Sequence, residues 1–175
     1  MNKKFISALA VFLVSVLTPS AASAGGAVKL SNAIFTIGSL TATGTLTGLG
    51  GYHQGVTAEL VASGIPVVTC TNPDGKQTPG QNPAHVSVNG EQIISLQDIT
   101  RKGTAPMDIT AKPGQVAGTE GGCPNDNWTA QIEFIYWTNA IISVRDTATN
   151  SLLLQQDYTC TTTRDPDNVS CVAVP

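Results

Sequence analysis

Threonine occupies every second position from Thr41 to Thr47, and the intervening face carries Leu40, Ala42 and Leu46. That period fits a strand with one face in the core and the other in water, and it lays no apolar stripe along a helix. Val56, Ala58, Leu60 and Ala62 repeat it against Thr57 and Glu59, and Val67 to Thr71 continues it. Trp128, Ala130, Ile132, Phe134 and Tyr136 share a face opposite Thr129, Gln131 and Glu133, which reads as the main core strand. Ile135 and Trp137 then fall beside Glu133 on the outer face, as a second buried face or an exposed binding patch.

Turn chemistry divides the rest. Asn89 and Gly90, between Val86, Val88 and the segment Glu91 to Leu96, predict a type I′ hairpin. Asn72 to Pro83 holds three prolines and two glycines and predicts a long loop without strand or helix. Leu96 to Ile99 can form one helical turn at most, Met107 to Ala111 reads as a short strand, and Pro113 to Asn127 is a second glycine-rich loop. Ile141 to Asp146 and Leu152 to Cys160 predict a hairpin around Ala148, Thr149 and Asn150. Tyr158 to Thr162 and Val169 to Val174 predict another across Arg164, Asp165, Pro166 and Asp167. About eight to ten short strands without intervening helices predict an all-β, antiparallel immunoglobulin-like β-sandwich, with a closed barrel as the alternative.

The chain opens on Lys3 and Lys4, the apolar run Phe5 to Val16 and the small triplet Ala22, Ser23, Ala24. These are the parts of a cleavable export signal, so residues 1–24 are expected to leave and 25–175 to form one exported β-domain. The localisation expected is extracellular or periplasmic, without a membrane anchor. Removing the leader takes two lysines and no acid, leaving 7 basic residues against 12 acidic ones. Apart from Arg101 and Lys102 the basic residues are scattered singly, which argues against nucleic acid as a partner. Charged residues are 12% of the chain, about half the usual share, as suits half-exposed threonine-rich sheet.

Cys70, Cys123, Cys160 and Cys171 are an even set in an exported chain and predict two disulfides. Three pairings are open. A terminal hairpin favours Cys160 with Cys171, which would leave Cys70 and Cys123 to close a much longer loop. No C-x-x-C pair exists, so neither a zinc site nor any other metal or cofactor is expected.

Thr69, Cys70, Thr71 and Asn72, followed by Pro79, Gly80, Gln81, Asn82, Pro83 and Ala84, form one distinctive segment. Gly122, Cys123, Pro124 and Asn125, with Asn127, Trp128 and Thr129, form another. The pair resembles segments that recur at similar spacing in an uncharacterised family of small secreted bacterial β-rich proteins. The resemblance implies a secreted β-domain and a bond between Cys70 and Cys123, and it implies no activity and no catalytic residue. Relatives tend to carry glycines and a polar residue where this chain has Asp74, Gly75 and Lys76.

With that bond in place the two loops meet, and Asn72, Gln81, Asn82, Asn125, Asp126, Asn127 and Trp128 become neighbours. Amides beside an aromatic ring suit a glycan, cell-wall or protein ligand. The same amides also serve turns, with Trp128 in the core, and that plainer reading is favoured. Asp165, Asp167 and Asn168 offer oxygens but miss the calcium-loop pattern and read as a turn. His53 and His85 are expected at the surface, away from any nucleophile, and Glu59, Glu91 and Glu133 on solvent faces without a pairing. The expected function is a secreted, non-catalytic binding or envelope-associated module. The alternatives are a subunit that self-associates edge to edge into an extracellular polymer and, behind it, a small secreted hydrolase.

Overall fold

The computed structural model describes residues 26–36, 39–163 and 169–175. The expected export leader, residues 1–24, and the residues Asp165, Asp167 and Asn168 lie outside the described residues.

Nine strands form two antiparallel sheets among the described residues. β1 (Lys29–Thr36), β2 (Leu40–Thr47) and β6 (Ala105–Ala111) make a three-stranded sheet in the order β1-β2-β6. The larger sheet runs β4 (Gln77–Pro79), β3 (Val56–Thr71), β7 (Thr129–Asp146), β8 (Leu152–Thr162), β9 (Val169–Ala173). β5 (Val86–Ile94) joins it on the β4 side of β3. The predicted alternation holds in β2 and β3: Leu40, Ala42 and Leu46 are buried, and the even positions of β3 face inward along its whole length. The buried side chains of β2 and of the first half of β3, Val56, Ala58, Leu60 and Ala62, share one core with Met107 and Ile109 of β6 and Ile142 and Val144 of β7. On the far edge Phe35 meets Tyr158 edge to face at 4.9 Å, joining β1 to β8.

β7 departs from the predicted phase. Its register against β3 shifts twice, leaving Thr138 and Glu133 as extra residues opposite a single partner step. Each such bulge turns the strand by one residue and exchanges its faces. Ile135 and Trp137 therefore enter the core, each about 1% exposed, while Phe134 and Tyr136 lie half-buried on the outer face and pack edge to face at 4.9 Å. The outer-face placement of Ile135 and Trp137 is thus corrected. The ladder to β8 begins only at Asn139, and on its N-terminal side the Thr162 hydroxyl takes over by accepting Trp137 N–H at 2.9 Å.

The hairpin at Asn89 and Gly90 is absent: β5 runs straight through both residues, which pair with Val61 and Leu60. Gly90 serves a close approach instead. A Cβ there would sit 2.3 Å from Thr110 O and 2.6 Å from its carbonyl carbon. Only a residue without a side chain lets β5 cross β6 at that distance. The loop after Cys70, expected to lack strand, contains the short β4, placed by a turn in which Asn72 Oδ1 accepts Lys76 N–H at 2.7 Å. Glu59 and Glu91, expected unpaired, stand directly opposite one another on β3 and β5. They lie on the open outer face of the sheet rather than in a groove.

Candidate functional site

Both disulfides form. Cys160 bonds Cys171 directly across β8 and β9, and Cys70 bonds Cys123 with 5.6 Å between their Cα atoms. The second bond anchors the loop of residues 112–128 to the end of β3. Val68, Cys70 and Cys123 make a small buried cluster with Trp128 half-buried against it. The two loops do meet: Gln81 N–H donates to Gly122 O at 2.8 Å and Ala84 N–H to Glu120 O at 2.9 Å. Gly122, at φ +74°, gives way to the Gln81 backbone, since a Cβ there would lie 2.3 Å from Gln81 O.

The expected recognition amides divide into two groups. Asn72 and Asn125 hold turns, the latter with Oδ1 accepting Asn127 N–H at 3.0 Å. Asp126 accepts both Thr119 Oγ1–H at 2.6 Å and Thr119 N–H at 2.9 Å. Those two bonds hold its carboxyl below the ordinary aspartate range, the hydroxyl contributing most. The Gln81, Asn82 and Asn127 side chains are exposed and make no hydrogen bond among the described residues. They face water beside the disulfide.

Because the folded Asp126 carboxyl is more acidic than the unfolded one, its contribution is complete above the usual aspartate range and is lost as pH falls through the folded value. Protection of the Thr119 amide, taken against the unstructured exchange rate at the same pH, should therefore be lost only once the pH falls below the ordinary aspartate range. Asp126→Asn should remove that pH dependence; if the variant keeps it, another group controls the loop.

The concave site lies next to these amides and uses none of them. Where β3 carries Pro66, the chain leaves the sheet between β4 and β5, and a cleft of about 340 Å³ opens on the inner face. Pro66 has no N–H to leave unpaired, so the ladder can be interrupted there. The apolar surface comes from Pro66, Val86, Val88, Pro113, Val116 and Ile132. His85, Ser87, Gln115 and Glu120 supply the polar groups. Segment 113–116 lines it, and a second hollow of about 320 Å³ adjoins the same segment beside Thr129 to Ile132. His85 is exposed, as expected of it, and lines the cleft together with Ser87 and Glu120. No hydrogen bond joins the His85, Ser87 and Glu120 side chains. Among the described residues no cluster of three or more metal-ligating side chains occurs.

Sequence reading locates the two loops but misses the cleft residues. A local signal for them is Pro66, which falls inside a strand-forming run.

No family model and no curated protein matches the chain. Among solved structures, similarity is found to Bacteroides uniformis β-glucuronidase, at 14% identity and TM-score 0.28 over 78% of this chain and 13% of that one. A calcium-binding mutant of Bacteroides uniformis β-glucuronidase 2 is similar at 16% identity and TM-score 0.25, over 79% of this chain and 13% of that one. The chain therefore spans about an eighth of the structures it resembles, and at these scores the resemblance carries no functional argument.

Proposed function

We propose that this chain is a secreted, non-catalytic binding module, an immunoglobulin-like β-sandwich that holds its ligand in the cleft beside the Cys70–Cys123 bond. The observation that carries this reading is the make-up of the cleft. An apolar floor with a few polar groups at its edge, on a scaffold fixed by a disulfide, is the usual form of a ligand site. Two disulfides suit an oxidising, non-cytoplasmic compartment, as the leader-like opening of the sequence also does.

The test is binding of the oxidised exported chain to arrays of glycans, cell-wall fragments and peptides, with Val116→Asp as the variant. Val116 is half-buried in a segment outside the strands, so the charge enters the cleft without entering the core. The expected result is a loss of tenfold or more in a folded variant. Binding that survives Val116→Asp but fails in Trp128→Ala would move the site to Gln81, Asn82 and Asn127. Turnover in a hydrolase screen, abolished by His85→Ala, would overturn the non-catalytic reading. The self-associating alternative draws on β9, an edge strand with Val172 67% exposed. Light scattering that shows a monomer over a wide concentration range would remove it.

A further inference from the structure

Unpaired backbone lines both sides of the cleft. The odd residues of β3 direct their backbone groups towards β7, a phase set by Gly55 O just before β3, which accepts the N–H of Thr147 just after β7. The even residues direct theirs to the opposite edge, where Val68 O accepts Gly80 N–H at 2.8 Å. Antiparallel ladders alternate bonded and non-bonded pairs. Gly64 with Val86 and Ala62 with Val88 are therefore bonded pairs, and Ser63 with Ser87 is a non-bonded one. Ser87 N–H and C=O consequently point away from β3 and are not used by its ladder, and Ser87 is one of the residues that line the cleft.

The other wall continues β6. Gln92 Oε1 accepts Asp108 N–H, and Gly90 abuts Thr110, so β5 and β6 run past one another in opposite directions. Extending both brings residues 84–88 opposite 112–116 with the cleft between them. Residues 113–116 make no backbone hydrogen bond to any described residue.

We infer that the cleft takes an extended peptide, which adds as a strand to the free edge of β5 at Ser87 and sets an apolar side chain on Pro66 and Ile132. The inference rests on the cleft being the binding site and names its ligand class. An extended chain presents donors and acceptors to both sides at once, which is the chemistry of strand addition. A glycan would want an aromatic platform, and no Trp, Tyr or Phe among the described residues lines the cleft. Glu120 beside it favours a neutral or basic peptide over an acidic one.

The test follows backbone amides by NMR while the oxidised chain is titrated with an acetylated pentapeptide of alternating valine and threonine ending in lysine. The expected result is saturable shifts at Ser87, Gln115 and Val116, at least tenfold weaker binding when the peptide nitrogens are methylated, and a similar loss in Ser87→Pro. Proline at 87 removes a donor the β3 ladder does not use, so the rest of the spectrum should persist. Should Ser87→Pro unfold, the methylated peptide decides alone. Equal binding of the methylated peptide overturns strand addition. Shifts from cyclohexanol but not from the peptide overturn the peptide assignment and leave the cleft as the site. No shift from either probe overturns both. Loss of the Ser87 signal with rising protein concentration, without peptide, also overturns the assignment, because a second copy then takes the edge.

Discussion

Gly90→Ala should destabilise the domain by about 3 kcal/mol or more, at the top of the range for overpacked cores. The added carbon would sit 2.3 Å from Thr110 O and 2.9 Å from Ala111 N, and both belong to backbone within a paired strand. No rotamer relieves that clash; β5 or β6 must move, and the two sheets share one core along that edge. Gly114→Ala is the contrast, because nothing lies within 4 Å of the place its Cβ would take and its φ is not in the left-handed region. It should be neutral or stabilise slightly by restricting the unfolded chain. Asn89 separates the two accounts of this segment. A type I′ turn needs asparagine or glycine there, whereas a strand accepts Asn89→Thr without loss. Urea denaturation of the three variants checks these expectations, and a Gly90→Ala midpoint equal to that of the parent would contradict the crossing.

Removing the Cys70–Cys123 bond should cost more than removing Cys160–Cys171. The first closes 53 residues of chain and the second 11. In the chain-entropy model these are worth about 4 and about 3 kcal/mol. The longer bond also fixes the loop that lines the cleft, so Cys70→Ala with Cys123→Ala should abolish ligand binding before it abolishes the fold. The Cys160–Cys171 variant should lower the denaturation midpoint and leave binding intact. The opposite order, with the terminal bond the more important for binding, would contradict the placement of the site.

Much of this architecture is written locally. β2 and β3 keep a strict period of two without interruption, and the β8–β9 pairing is legible in two alternating stretches close together in sequence, with Cys160 and Cys171 at matching positions. β1 carries no such signal, because a bulge between Ser31 and Ile34, with Asn32 at φ 53°, breaks the alternation that would mark it. The bulges of β7 leave no local mark either, and since each exchanges the two faces, an unbroken period puts Trp137 and Phe134 on the wrong sides. Asn89–Gly90 is a strong hairpin signal that tertiary structure overrides, because the glycine answers a crossing strand 20 residues away in sequence. The meeting of the two cysteine loops is legible. The cleft is not, since it arises where β5 and the continuation of β6 diverge, and divergence of distant segments has no local pattern.

The most direct measurement is residue-resolved hydrogen exchange of the oxidised chain without ligand. If the edge of β5 is free at the cleft, Val86 and Val88 are protected by their bonds to β3, while Ser87 and the amides of residues 114–116 exchange at least an order of magnitude faster. Protection of Ser87 equal to that of its two neighbours would mean that the edge is already paired, and would contradict the open site on which the functional account rests.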